Sequence, residues 1–275
     1  MKSFFVKMQG LGNDFIVLDA RATPVALDAE RIRSLCDRRL GIGADMVIII
    51  EKPRKIADAN VFMGIFNFDG SEVGACGNAT RCVAGLLMAQ TGRDDVVIET
   101  QAGRLVAQKA ADAQVSVDMG KARLGWQEIP LSQSKETENF AIEGIAVPAA
   151  TAVNMGNPHA VFFVDNVAAV DLEGLGPQVE NHPLFPERTN VEFVQVMAPD
   201  HLRMRVWERG VGVTPACGSG ACASVVAGIR RGLVTGRQAR ITLDGGDLHI
   251  LWREDDGHVV MTGPWAEVYR GEIAL

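Results

Sequence analysis

Short apolar runs rich in β-branched and aromatic residues recur through the first third of the chain. "FFVKMQG", "DFIVLD", "MVIIIE", "VFMGIFN", "VVIET" and "RLVAQ" predict strands. Between them, "DAERIRSLCDRRLG" carries the spacing of an amphipathic helix, with Asp28 placed to cap its start and Gly41 to follow its end. The runs after Gly77 and Gly218 differ from this. They are small and apolar all round, which predicts helices buried on most sides. Near the C-terminus, "AEVYRGEI" alternates apolar and polar residues like a strand.

The pattern repeats. "ACGNATRCVAG" begins at Ala75 and "ACGSGACASVVAG" at Ala216. Asn67 precedes Cys76 by the same number of residues as Glu208 precedes Cys217. Downstream of the two motifs, "TGRDDVVIETQAGRL" matches "TGRQARITLDGGDL". Upstream, "GNDFIVLD" faces "GNPHAVFFVD", and "DRRLGIGADMVII" faces "NHPLFPERTNVEF", which sets Met46 opposite Asn190. Each match is weak alone; their shared order along the chain points to a duplicated unit.

These elements predict an α+β fold of two pseudo-symmetric domains of similar topology, each with a sheet around a central buried helix. The polar stretch from Asp118, "DMGKARLGWQEIPLSQSKETENF", suits a crossing between domains. The expected division is residues 1–118, joined by a returning strand at 264–275, and residues 119–263, with the active site in the cleft between them.

Composition narrows the function classes. The 275 residues are 47% hydrophobic and 22% charged, with a formal net charge of −7 and no Lys/Arg stripe, so neither nucleic acid nor an anionic membrane is the expected partner. The longest apolar candidate for a membrane span, around Val211 to Ile229, is interrupted by Thr214, Pro215 and glycines. "MKSFFVKMQG" lacks the apolar core and cleavage site of a secretory signal. Five cysteines, an odd number, in such a chain predict reduced thiols and a cytoplasmic location.

In both motifs a cysteine precedes a helix. Asn78 and Ser219 are good N-cap types, and Gly77 and Gly218 permit close backbone approach. The N–H groups and positive dipole end of a helix start attract a carboxylate. The same field raises the thiolate fraction of a neighbouring cysteine. If the two helix starts face each other, Cys76 and Cys217 flank one carbon that bears a carboxylate. One sulfur then removes a proton and the other returns one to the opposite face. Inversion of a stereocentre needs two such groups, which accounts for the repetition. Cys36, Cys82 and Cys222 read as core residues instead. The spacings Cys76-x5-Cys82 and Cys217-x4-Cys222 lack a zinc pattern, so no metal site is expected, and no C-x-x-C redox pair is present.

"GLGNDFIVLD", "NFDGSEVGACGNATRC", "GNPHAV", "ERTNVEF", "VWERGVG" and "TPACGSGACA" closely resemble, in the same order, the motifs of the diaminopimelate epimerase family. The resemblance implies two domains, each a curled mixed or antiparallel sheet around a helix, and a cofactor-independent isomerase, usually a homodimer. The implied reaction interconverts LL- and meso-2,6-diaminopimelate, for lysine and peptidoglycan-precursor biosynthesis. It further implies that Cys76 and Cys217 are the acid–base pair. Gly77, Asn78, Gly218 and Ser219 would then bind the carboxylate at the reacting centre. Asn13, Asn67, Asn157, Asn190 and Arg209 would hold the distal carboxylate and the amino groups. Glu208 and His159 would contact substrate or adjust the cysteine pKa values.

One position departs from the family. Met46 follows "GIGAD" where the family usually has Gln, and it cannot make an amide's hydrogen bonds. This keeps open a related racemase or epimerase, independent of pyridoxal phosphate, acting on another amino acid. Two other classes compete. A nicotinamide-dependent oxidoreductase is disfavoured because neither "GLGND" nor "GIGAD" completes G-x-G-x-x-G between a strand and a helix. A non-catalytic amino-acid-binding protein suits two domains but has no use for paired thiols.

Overall fold

The computed structural model describes residues 2–274. Met1 and Leu275, the outer limits of the expected first domain, lie outside the described residues. The chain divides into two compact units, residues 1–117 with 262–275, and residues 118–261.

The first unit runs β1 (Lys2–Gly10), β2 (Asn13–Asp19), α1 (Ala29–Cys36), β3 (Met46–Glu51), β4 (Val61–Asn67), α2 (Gly77–Thr91), β5 (Asp95–Thr100) and β6 (Gly103–Lys109). The chain leaves this unit within β7 (Val115–Lys121). The second unit contains β8 (Ala150–Asn154), β9 (Pro158–Phe163), α3 (Leu172–Glu180), β10 (Asn190–Ala198), β11 (His201–Glu208), β12 (Gly212–Thr214), α4 (Gly218–Arg230), β13 (Gln238–Leu243) and β14 (Gly246–Trp252). The chain returns within β15 (His258–Gly263), and β16 (Ala266–Ala274) completes the first unit. Both passages therefore fall inside strands rather than in a polar loop.

The six strands predicted in the first unit are all present and, with β16 at the edge, follow the order β16-β1-β2-β3-β4-β5-β6. β1 pairs antiparallel with β2, β2 parallel with β3, β3 antiparallel with β4, β4 parallel with β5, and β5 antiparallel with β6. The parallel pairs are the ones separated by helices, since a parallel connection must cross over. The second unit repeats this scheme through β8, β9, β10, β11, β13 and β14. α3 and α4 hold the places of α1 and α2, and the small strand β12 pairs with β11.

Strand composition follows from what covers each face. In β3, Val47 and Ile49 pack against α1 with Ile32 and Leu35, while Ile48 and Ile50 are buried on the other face. A strand covered on both sides reads as a continuous apolar run. β10 is covered on one side by the α3 cluster through Val191 and Phe193. Its alternate residues Asn190, Glu192 and Val194 point to the opposite face.

α2 and α4 are the central helices. α2 touches β1 and β2 as well as β5 and β6, so the sheet curls around it. α4 is likewise in contact with β8, β9, β10, β11, β13 and β14. Every residue of α2 from Asn78 to Met88 is buried, as the all-round small and apolar pattern predicts. Gly92 ends the helix at φ 70°, and its N–H donates to the Met88 carbonyl.

α1 is capped by Asp28 as expected, with Oδ1 accepting from the Arg31 N–H at 2.7 Å. It stops at Cys36, well short of Gly41. The reason is Asp37, whose carboxylate accepts from the N–H groups of Arg39 and Leu40 and turns the chain out of the helix. β16 pairs antiparallel with β1 from Lys2↔Ala274 to Gln9↔Ala266, which places the predicted last strand in the first unit.

Candidate active site

Cys76 and Cys217 hold matching positions. Each is the N-cap of its central helix, with extended backbone at φ −147° and −120°. The Thr80 N–H donates to the Cys76 carbonyl and the Ala221 N–H to the Cys217 carbonyl, both at 2.9 Å. The sequence placed Asn78 and Ser219 in the capping role. The helices instead start earlier, at Gly77 and Gly218, and Asn78 and Ser219 lie in the first turn. Asn78 does not act as a cap because its amide serves other partners. Its Oδ1 accepts from Arg81 Nη2 at 2.9 Å and its Nδ2 donates to Asn13 Oδ1 at 3.3 Å. Neither cysteine makes a side-chain cap bond.

Around Cys76, the strand ends converge at the start of α2. The Cys76 thiol faces Asn13 Oδ1 at 3.9 Å, and the Asn13 amide donates to Asp45 Oδ2 at 2.9 Å. Asp45 is held in turn by Arg38 at 2.7 Å. Arg81, on the next turn of α2, is fully buried, and its Nε also donates to the Pro264 carbonyl. Asn67 donates from its amide to Ser71 Oγ at 3.0 Å. Met46 opens β3 in register with Asn67 on one side and Phe15 on the other. Its half-buried thioether thus sits among the strand ends that carry Asn13 and Asn67.

Around Cys217, the groups are acidic. The Cys217 sulfur lies 3.6 Å from Ser219 Oγ. Glu208, at the end of β11, accepts hydrogen bonds from the Thr214 hydroxyl and from the Cys217 thiol. His159 is fully buried on β9. Its Nδ1 lies 2.7 Å from Glu192 Oε1, and its Nε2 lies 2.9 Å from Asn157 Oδ1. Asn190 ties two segments together: its amide donates to the Pro158 carbonyl and its Oδ1 accepts from the Arg209 N–H, both at 2.9 Å. The Arg209 guanidinium donates to the Glu187 carbonyl at 3.0 Å, and among the described residues no carboxylate pairs with it. It remains a fork suited to an external carboxylate.

The electrostatics of the two helix starts differ. Burial pushes the Cys217 thiol well above its ordinary range, and the carboxylates of Glu208 and Glu192 push it further. Burial also raises Glu208, against the pull of its bonds from Thr214 and Cys217. It raises Glu192 as well, against the pull of His159. Cys76 is half-buried, with the Arg81 guanidinium one turn along its helix. Of the remaining cysteines, burial pushes Cys36 up to about 11 and Cys82 up to about 12, as fits core thiols.

Several contributors escaped the sequence reading. Thr214 anchors Glu208, Asp45 anchors Asn13, and Arg81 anchors Asn78. Glu192 had one visible signal, a second polar residue two places after Asn190 in an apolar strand. Among the described residues, no group of three His, Cys, Asp or Glu side chains is arranged to hold a metal ion, and no helix is long and apolar enough to cross a membrane.

The profile of the diaminopimelate epimerase family matches residues 5–125 and 151–268. The chain belongs to the diaminopimelate epimerase family. It is therefore an isomerase, of the epimerase class. Proteins named diaminopimelate epimerase resemble it along nearly its whole length. One from Rhodospirillum centenum is 55% identical, covering 98% of this chain and 92% of the relative. One from Phenylobacterium zucineum is 52% identical, covering 98% and 97%. More distant solved structures share the fold. A hydroxyproline epimerase from Agrobacterium vitis superposes with a TM-score of 0.68 at 17% identity, over 100% of this chain and 93% of that one. A phenazine biosynthesis protein of the PhzF family from Enterococcus faecalis gives 0.71 at 15%, over 100% of both.

Proposed function

We propose that this chain interconverts LL- and meso-2,6-diaminopimelate, with Cys76 and Cys217 as the two acid–base groups acting on one α-carbon. The observation that carries the two-cysteine reading is their equivalence: each unit caps its buried central helix with a cysteine that makes no capping bond. One sulfur, as thiolate, takes the α-proton and becomes a thiol. The other, as thiol, delivers its proton to the opposite face and becomes a thiolate. Protons and charge balance without an added reactant, and no metal or organic cofactor is invoked. The helix starts at Gly77, Asn78, Gly218 and Ser219 bind the adjacent carboxylate and stabilise the enolate-like charge that develops on it.

Asn13, Asn67, Asn157, Asn190 and Arg209 bind the distal amino acid group in this reading. Asn190 contributes partly by fixing the Arg209 backbone. Glu208 sets the state of the Cys217 thiol to which it is bonded, and His159 acts through the oxygens its two ring nitrogens face. The protein works as a homodimer in the cytoplasm, where its thiols stay reduced, and its product serves lysine and peptidoglycan precursors. All five cysteines are free, in keeping with a reducing compartment.

The test is an NMR time course in deuterated water with LL-diaminopimelate. The meso isomer should form with deuterium at the inverted carbon, and a Cys217→Ala variant should lose that conversion. Turnover at the wild-type rate by that variant refutes the two-cysteine assignment. Exchange confined to a different amino acid would instead point to Met46 as a change of substrate.

A further inference from the structure

The proposed reaction gives Glu192 no role in binding substrate or moving a proton. Glu192 is fully buried on β10, on the face that Asn190 shares. Its Oε1 lies 2.7 Å from His159 Nδ1, and its Oε2 is buried without any hydrogen-bond partner. A buried carboxylate oxygen with no donor is costly, and an apolar group of similar volume would often be as stable there or more so.

The location suggests a use for its charge. Gly220 lies in the first turn of α4, three residues after Cys217. A methyl group at its Cα would stand 2.7 Å from Glu192 Oε1 and 3.3 Å from Cys217 Sγ. The carboxylate and the thiol therefore border one spot, which glycine leaves open. Glu208 from β11 and Glu192 from β10 bear on Cys217, with the Ser219 hydroxyl and the Gly220 N–H on α4 itself, and His159 on β9 stands behind Glu192. On the matching helix of the first unit the buried charged residue is a cation, Arg81.

We propose that Glu192 is a positioning residue for proton exchange at Cys217, forming with His159 a buried carboxylate–imidazole unit whose charge, rather than its shape, holds the proton on that sulfur between turnovers. This rests on the two-cysteine reading. Like-charge repulsion opposes formation of a Cys217 thiolate beside the carboxylate. The hydrogen bond from His159 opposes the rise that burial imposes on the carboxyl and fixes its direction. Substrate binding, which brings its own charges to the helix start, then shifts the balance and releases the proton for transfer.

The experiment follows cysteine Cβ resonances in protein labelled with 13C-cysteine, since the Cβ shift reports thiol or thiolate without requiring access to the sulfur. Cys217 is assigned by its loss in Cys217→Ala, and Cys76 by its loss in Cys76→Ala. In Glu192→Gln, which keeps shape and removes charge, the Cys217 titration midpoint should fall by at least about one pH unit. The alkaline limb of kcat/KM should move with it, and Cys76 should not shift. Glu192→Asp should stay near wild type. If Glu192→Gln does not fold, the double variant Glu192→Met, His159→Leu removes the buried pair as a unit and carries the same expectation. A Cys217 signal that titrates as in the wild type, or that moves together with Cys76, overturns the proposal. Failure of the underlying reading would show separately, as normal turnover by Cys217→Ala.

Discussion

Cys76 is half-buried, whereas the other four thiols are buried. With Cys82 pushed up to about 12, its thiolate fraction at pH 8 is on the order of 10⁻⁴. Iodoacetamide at mild pH should therefore label Cys76 first, and peptide mass spectrometry should show it modified well before Cys36, Cys82, Cys217 or Cys222. Gly220 makes a second residue-level case. A methyl group there collides with Glu192 Oε1 and crowds Cys217 Sγ. Gly220→Ala should cost about 1–3 kcal/mol of stability through overpacking. It should also lower kcat by roughly tenfold or more through displacement of the sulfur, as thermal melts and initial rates would show. A stable, fully active Gly220→Ala protein would remove the argument that the helix start is fitted around those two groups.

At the scale of elements, the ends of β2 and β3 in the first unit are pinned by charge. Asp14 accepts from Lys7 at 2.6 Å and from Arg38 at 2.8 Å. Burial alone would raise its carboxyl, but the bonds from Arg38 and Lys7 prevail and hold it at about 2. A carboxyl lowered on folding stabilises the native state above its unfolded pKa, and that stability is lost as pH falls through the folded value. Asp14→Asn should thus lower stability by about 2 kcal/mol near neutral pH. The difference from wild type should shrink between about pH 4 and pH 2 in urea melts, and an undiminished difference at the acid end would refute the coupling. Elements were also where the sequence was most legible. Alternation and β-branching gave the strands of the first unit, and uniform smallness gave the two buried helices, because these patterns report directly on what covers each face. Asp28 was legible as a cap, but Asn78 was misread as one because a capping propensity is local, whereas its amide is claimed by Asn13 and Arg81, far away or a turn along. Arg81 and Thr214 were illegible for the same reason: a buried partner of an active-site residue is defined by tertiary contact and leaves no spacing rule in the chain.

Across the whole molecule, the duplicated strand order leaves the two units unlike in how they are closed. The second is continuous from Asp118 to Met261, while the first needs a segment from the far end of the chain. β16 supplies that segment as a nine-residue partner for β1, and the ring of its Tyr269 meets Phe5 edge-on at 5.8 Å. Truncation before Ala266 should therefore loosen the first unit selectively. Hydrogen exchange should accelerate in β1 and β2 while the α4 region keeps its protection, whereas uniform acceleration would mean that the units unfold as one.

The same pairing sets Lys2 directly across from Ala274. A short linker could close this chain into a covalent ring without disturbing a strand, and new ends could be cut at an exposed turn of the second unit such as the one around Asp255. Such a circular permutant would carry the first unit as one unbroken stretch of polypeptide, so that the half now assembled from both extremities would be translated, and could begin to fold, in a single pass.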